Sequence, residues 1–165
     1  MTLVEAAAKA QELAEAGDER ELADLRRQWD DEVEGAARDG DYRVRAVAYR
    51  ALGQFRYRQK LELLQRGLED ESPACRGSAL VSLELLSRDS PGVVNRTRRI
   101  LHELAGGDSN QAVRRLAILA LRNGSPQRDT IVLLQGIAEE EGSSRDVRQT
   151  AAKIASGLEK RANTR

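Results

Sequence analysis

Four stretches decide how this chain is read: DGDYRVRAVAYRAL (39–52), DESPACRGSALVSL (70–83), DSNQAVRRLAILAL (108–121) and GSSRDVRQTAAKIA (142–155). They align on one arginine each, Arg45, Arg76, Arg114 and Arg148, spaced by 31, 38 and 34 residues. Three positions after each arginine stands an alanine: Ala48, Ala79, Ala117 and Ala151. The shared pattern is D-x-[DSN]-x-x-[VC]-R-x-x-A-x-x-[AS]-L, from which the last copy departs at its ends. Self-similarity at a period of this size marks a repeat architecture.

Each copy reads as a turn that enters a helix. Val44, Val47, Ala48, Ala51 and Leu52 recur at i, i+3, i+4, i+7 and i+8, one face of a helix, and Val113, Leu116, Ala117, Ala120 and Leu121 repeat the pattern. A second amphipathic stretch precedes each copy: Leu22–Val33, Leu61–Leu68, Val93–Leu104 and Ile131–Ala138. The unit is therefore an antiparallel helix pair, with repeats expected at about 20–53, 57–87, 91–123 and 127–161 and a capping helix at 2–16. All three prolines follow a serine (Ser72-Pro73, Ser90-Pro91, Ser125-Pro126), which predicts serine N-caps with proline at the first helical position. Gly17, Gly53, Gly106, Gly107, Gly124 and Gly142 are predicted helix stops. The expectation is an all-α chain of about nine helices forming a single domain over 1–165, with no linker.

The pattern that opens the second helix of each pair resembles HEAT repeats, and most of all the bacterial and archaeal subgroup related to bilin-lyase HEAT-like proteins. The resemblance covers about residues 20–161, departing at Cys75, where valine is usual, and in the fourth copy. The Trp-Leu-Gly-Tyr signature of tetratricopeptide repeats is absent. The resemblance implies a right-handed α-solenoid of about four HEAT-like helix pairs plus the N-terminal capping helix. It also implies that Asp39, Asp70 and Asp108, with Arg45, Arg76, Arg114 and Arg148, brace neighbouring repeats. A scaffold or binding surface is implied, and catalysis is not. Some HEAT-like proteins are glycosylases for alkylated DNA bases, working with tryptophans on a basic face; here the one tryptophan, Trp29, sits in the acidic run WDDEVE.

Composition narrows the chemistry. Lys+Arg and Asp+Glu both number 27, which excludes a uniformly basic coat, and 3% aromatic content suits a helical chain rather than a sandwich. The balance conceals polarity, because residues 1–41 hold 13 acids and 5 bases. That acidic segment could pair with the basic remainder of a second copy, a weak self-association. One cysteine and one histidine exclude a disulfide, a histidine triad and a Cys- or His-rich metal site. Cys75 stands at an apolar repeat position, and His102 and Trp29 read as structural. The run Asp30, Asp31, Glu32, Glu34 reads as a solvated face, since consecutive helical residues point in different directions. No nucleotide-binding glycine loop or calcium loop is present, so no catalytic residue, metal or cofactor is expected. No apolar run reaches the roughly 20 residues of a membrane span, and no secretory signal opens the chain, so the expected location is cytoplasmic.

Two surfaces remain as candidates. The positions four and five after the motif arginine hold Tyr49, Leu80, Ile118 and Ala152, then Arg50, Val81, Leu119 and Lys153. Part of this double row should line the concave second-helix face. Tyr49, Arg50, Val81, Arg115, Leu119 and Arg122 are therefore candidate contacts for a protein or peptide partner with acidic residues. The alternative is phosphate-backbone binding by nucleic acid through Arg56, Arg58, Lys60, Arg98 and Arg99. In that cluster FRYRQK (55–60) interleaves rings with bases, although Phe55 and Tyr57 read better as plugs of a repeat junction.

Overall fold

A computed structural model describes residues 1–164; Arg165, the last residue of the expected domain, lies outside the described residues. Among the described residues there are nine helices and no strand: α1 (Leu3–Ala16), α2 (Glu19–Ala36), α3 (Tyr42–Gln54), α4 (Leu61–Leu68), α5 (Pro73–Ser87), α6 (Gly92–Gly107), α7 (Gln111–Leu121), α8 (Arg128–Ala138) and α9 (Arg145–Asn163). This is the all-α helical repeat that the sequence predicts. The described residues divide into two compact units, one up to Leu86 and the other from Ser87 onward.

In the first unit α1, α3 and α5 lie side by side, while α2 and α4 pack against the other side of α3. Helix α1 begins in a reciprocal capping box, Thr2 Oγ1 accepting from the Glu5 amide and Glu5 Oε2 from the Thr2 amide. It ends where Gly17 turns left-handed at φ 75°, its amide and that of Asp18 closing onto Ala14 and Leu13 carbonyls. Leu22, Leu52, Phe55, Tyr57, Leu64, Leu68, Leu80 and Leu83 are fully buried. Each such side chain contributes about 1.5–3 kcal/mol relative to an exposed one. The second unit has the same two-layer construction, α7 beside α9 and α6 beside α8, around Leu101, Ile118, Leu121, Leu134 and Val147.

The repeat motif has a hydrogen-bonding explanation. Its first aspartate accepts the amide two residues on, as in Asp39 from Asp41, Asp70 from Ser72 and Asp108 from Asn110, at 2.8–2.9 Å. The residue at that third position then caps the second helix: Asp41 accepts from the Arg43 amide, Asn110 from Val113 and Ser144 from Val147. The motif arginine reaches back to carbonyls of the turn or of the preceding helix end. Arg45 bonds Asp39 and Gly40, Arg76 bonds Asp70 and Glu71, Arg114 bonds Ala105 and Arg148 bonds Ala138. Arg45 and Arg114 also reach the next repeat. Arg45 grips Asp70 with two parallel bonds of 2.9 and 3.1 Å, and Arg114 donates to Ser143 at 2.8 Å.

Several boundary expectations are corrected. Gly53 lies inside α3, not at a stop, because a Cβ there would sit 2.7 Å from the Cα of Ser82 on α5. The left-handed residue that ends α3 is Arg56, at φ 59°, and its Nη1 donates to the Gly53 carbonyl at 2.7 Å. Gly124 has no positive φ and is required by crowding from Val94 and Arg98. Ser125 does not cap α8, whose N-cap is Gln127. It is stapled to α6 instead, since its amide donates to Asn95 Oδ1 and its hydroxyl accepts from Asn95 Nδ2.

Candidate functional site

A groove of about 350 Å³ opens among the second-helix layer of the first unit. Val4 and Ala8 of α1 form one wall, Ala46, Val47, Arg50 and Gln54 of α3 the floor, and Ser78 of α5 the other wall. Val4 is 58% exposed, an apolar side chain left at the rim. Arg50 is half-buried, and one terminal guanidinium nitrogen, Nη1, is buried with no hydrogen-bond partner. Burial pulls its pKa below the usual arginine range, with no acidic group acting on it.

Of the six candidate partner contacts, the structure places Arg50 in this groove. Tyr49 must be withdrawn: it is 2% exposed, its ring packs under α4 at Gly67, and its hydroxyl donates to the Ala37 carbonyl at 3.4 Å. Leu80 and Ile118, its counterparts in the second and third copies, are equally buried, so those positions are packing, whereas Ala152 of the fourth copy is exposed. Val81 is half-buried on α5 and does not line the groove. Arg115, Leu119 and Arg122 belong to the second unit, where Arg115 and Arg122 are exposed and Leu119 is half-buried. The Arg122 carbonyl accepts from Arg161 at 2.7 Å. Sequence reasoning missed Val4 and Ala8. Their signal was present, because α1 carries more apolar residues than its buried stripe Leu3, Ala6, Ala7, Ala10 and Leu13 uses.

The basic cluster proposed for phosphate is largely consumed by the fold. Arg56 caps α3. Lys60 is clamped by Asp30 at 2.9 Å and Glu34 at 2.7 Å, so that part of the acidic face of α2 is an anchor rather than free surface. Phe55 and Tyr57 stack at 5.3 Å between ring centres, and the Tyr57 hydroxyl donates to the Arg26 carbonyl at 2.6 Å, which makes them junction plugs. Arg98 is 9% exposed and donates to Thr130, Asn95 and the Ser125 carbonyl. Arg99 is exposed and lies 3.7 Å from Glu103, and Arg58 is at the surface.

Cys75 is buried, donates its thiol to the Tyr42 carbonyl at 3.3 Å, and burial pushes its pKa up, the opposite of an activated nucleophile. Among the described residues no group of three or more His, Cys, Asp or Glu is placed to hold a metal ion, and no helix is long and apolar enough to cross a membrane.

His102 Nε2 lies 2.8 Å from the Thr130 hydroxyl, which also accepts from Arg98 at 2.7 Å. The hydroxyl hydrogen is then free to point at an unprotonated Nε2, an arrangement that suits the neutral imidazole. Burial, and then the Arg98 charge, hold the His102 pKa below 6.5. The unfolded chain therefore binds a proton first as pH falls. Stability from this group is complete above its unfolded pKa and is lost below it, by no more than about 1.4 kcal/mol per pH unit. Urea unfolding between pH 7 and 5 should show wild type losing stability while His102→Gln is flatter; equal slopes would refute the assignment.

Paired helices whose turns are closed by a recurring aspartate and arginine define an α-helical repeat protein. A family model for HEAT repeats matches residues 33–122, more than half of the sequence, and the chain belongs to the HEAT-repeat family. No curated protein gives a significant match. HEAT repeats generally mediate protein–protein interaction, and the family is typically made of non-enzymatic scaffolds.

Proposed function

We propose that this protein is a non-enzymatic interaction module that holds a protein or peptide partner on its second-helix face, in the α1–α3–α5 groove. The observation that carries the reading is the groove itself: apolar walls from three helices, an exposed Val4 and a single cation. Protein partners are enriched in contacts of this kind, an apolar centre with arginine. The exposed Arg115 and Arg122 beside Leu119 make a separate candidate surface in the second unit. A photoreactive phenylalanine analogue at Val4, on the exposed rim of the groove, should give discrete protein adducts in cells, and the same probe at the exposed Gln28 of α2 should not. Equal adducts at both positions would overturn the proposal.

The nucleic-acid reading makes the opposite prediction. With Arg56, Lys60 and Arg98 engaged internally, mixed-sequence DNA or RNA should bind negligibly at physiological salt. Micromolar affinity with a steep salt dependence would favour phosphate binding instead.

A further inference from the structure

We infer that the α1–α3–α5 groove selects a peptide segment in which an acidic side chain lies beside an aliphatic one, with the carboxylate seated on Arg50. This rests on the reading that the groove is the partner-binding surface and specifies what it recognises. The motif arginines Arg45 and Arg114 have every direction of their guanidinium occupied by carbonyl, hydroxyl or carboxylate oxygens. Arg50 has the same chemical group in a less polar place and leaves Nη1 buried without a partner. A cation withdrawn from water and unpaired is costly to the fold, and removing it costs nothing in lost bonds. A carboxylate arriving in the groove pairs with the part of the guanidinium that stays open to it, and its charge offsets the cost of holding the cation among apolar neighbours.

The groove also says what kind of anion it takes. Arg50 is the one charged residue among those lining it, which suits a singly charged carboxylate better than a phosphate dianion. Along α3 the lining runs from Ala46 to Gln54, about 12 Å at ~1.5 Å per residue, with Arg50 midway. A carboxylate at the midpoint, with chain continuing to both sides, belongs to a side chain rather than to a C-terminus. An aliphatic side chain packed on Ala46 and Val4 would then lie about 6 Å from the acidic residue. That is one turn of a partner helix or two residues of an extended segment. Gln54 donates to Gln11 of α1 at 3.3 Å and ties the two helices together at the far end.

The test is a phage-displayed random peptide library selected on the full-length protein, with selected peptides measured against wild type, Arg50→Met and Ala8→Trp. The expected result is enrichment of Asp or Glu with Leu, Ile or Val at that spacing. Affinity should fall about tenfold or more with Arg50→Met, whose melting temperature stays equal or rises, and should be lost with Ala8→Trp. Peptides without an acidic residue that bind Arg50→Met normally but not Ala8→Trp would overturn the carboxylate inference and leave the groove standing. No enrichment, or peptides indifferent to both substitutions, would overturn the groove reading and this inference with it.

Discussion

Arg114→Ala should destabilise the second unit by about 3–5 kcal/mol, the range for removing one partner from a buried charged network. The residue is 4% exposed, and its three directions are all used: Nε to the Ala105 carbonyl at 2.8 Å, Nη1 to Ser143 at 2.8 Å, Nη2 to Glu140 at 3.4 Å. Truncation strands the Ala105 carbonyl near the end of α6 and the buried Ser143 hydroxyl, and each unmet group costs about 1–3 kcal/mol. The Glu140 contact contributes least, because that carboxylate is 49% exposed and well solvated. Arg114→Lys should recover little, since an ammonium cannot serve three fixed directions at once. Urea unfolding and amide exchange over α6–α9 would measure the effect. A change below about 0.5 kcal/mol, or a lysine variant equal to wild type, would show that the network is not structural.

The bracing role was implied by the resemblance to HEAT repeats, and the residues that carry it were legible because they recur. An aspartate and an arginine six residues later stand in three of the four copies, and the fourth keeps the arginine alone. Helix positions were legible for the same reason, as the apolar stripes of α3 and α7 repeat the same offsets. What could not be read was which neighbour a side chain meets. Periodicity puts Tyr49 and Arg50 next to each other on one helix, yet one is core and the other lines a groove. Arg98, Lys60 and Arg56 look like a basic patch when counted, but their partners come from residues up to 32 positions away or from the backbone of α3 itself. Charge in sequence reports how many cations exist and says nothing about how many are already neutralised.

That distinction separates the two jobs arginine does in this protein. In Arg45 and Arg114 the guanidinium joins one repeat to the next, so its loss should appear as lost stability. In Arg50 it is held in a largely apolar setting with its hydrogen-bonding capacity unfilled, so its loss should appear in binding while stability holds or improves. A protein that keeps such a residue accepts a less stable surface where a partner can complete it.

The floor of that groove depends on one glycine. Gly53→Ala should destabilise the first unit by about 3 kcal/mol, at the upper end for overpacking a tight core. The added Cβ would stand 2.7 Å from the Cα of Ser82, a backbone atom that no rotamer change can move. It would also stand 2.8 Å from Ser82 Oγ, which accepts from the Gly53 amide at 2.9 Å and lies 2.5 and 2.9 Å from the carbonyls of Tyr49 and Arg50. Helix α3 must therefore draw away from α5, taking with it the segment that carries Arg50. The control is the same substitution at Gly157, inside α9, where a Cβ meets nothing within 4 Å. There the gain in helix propensity should stabilise by about 0.5–1 kcal/mol. Opposite signs for the two variants in equilibrium unfolding are expected. If Gly53→Ala were as well tolerated as Gly157→Ala, the close approach of α3 to α5 would be wrong, and with it the geometry that sets Arg50 and Ser78 around one groove.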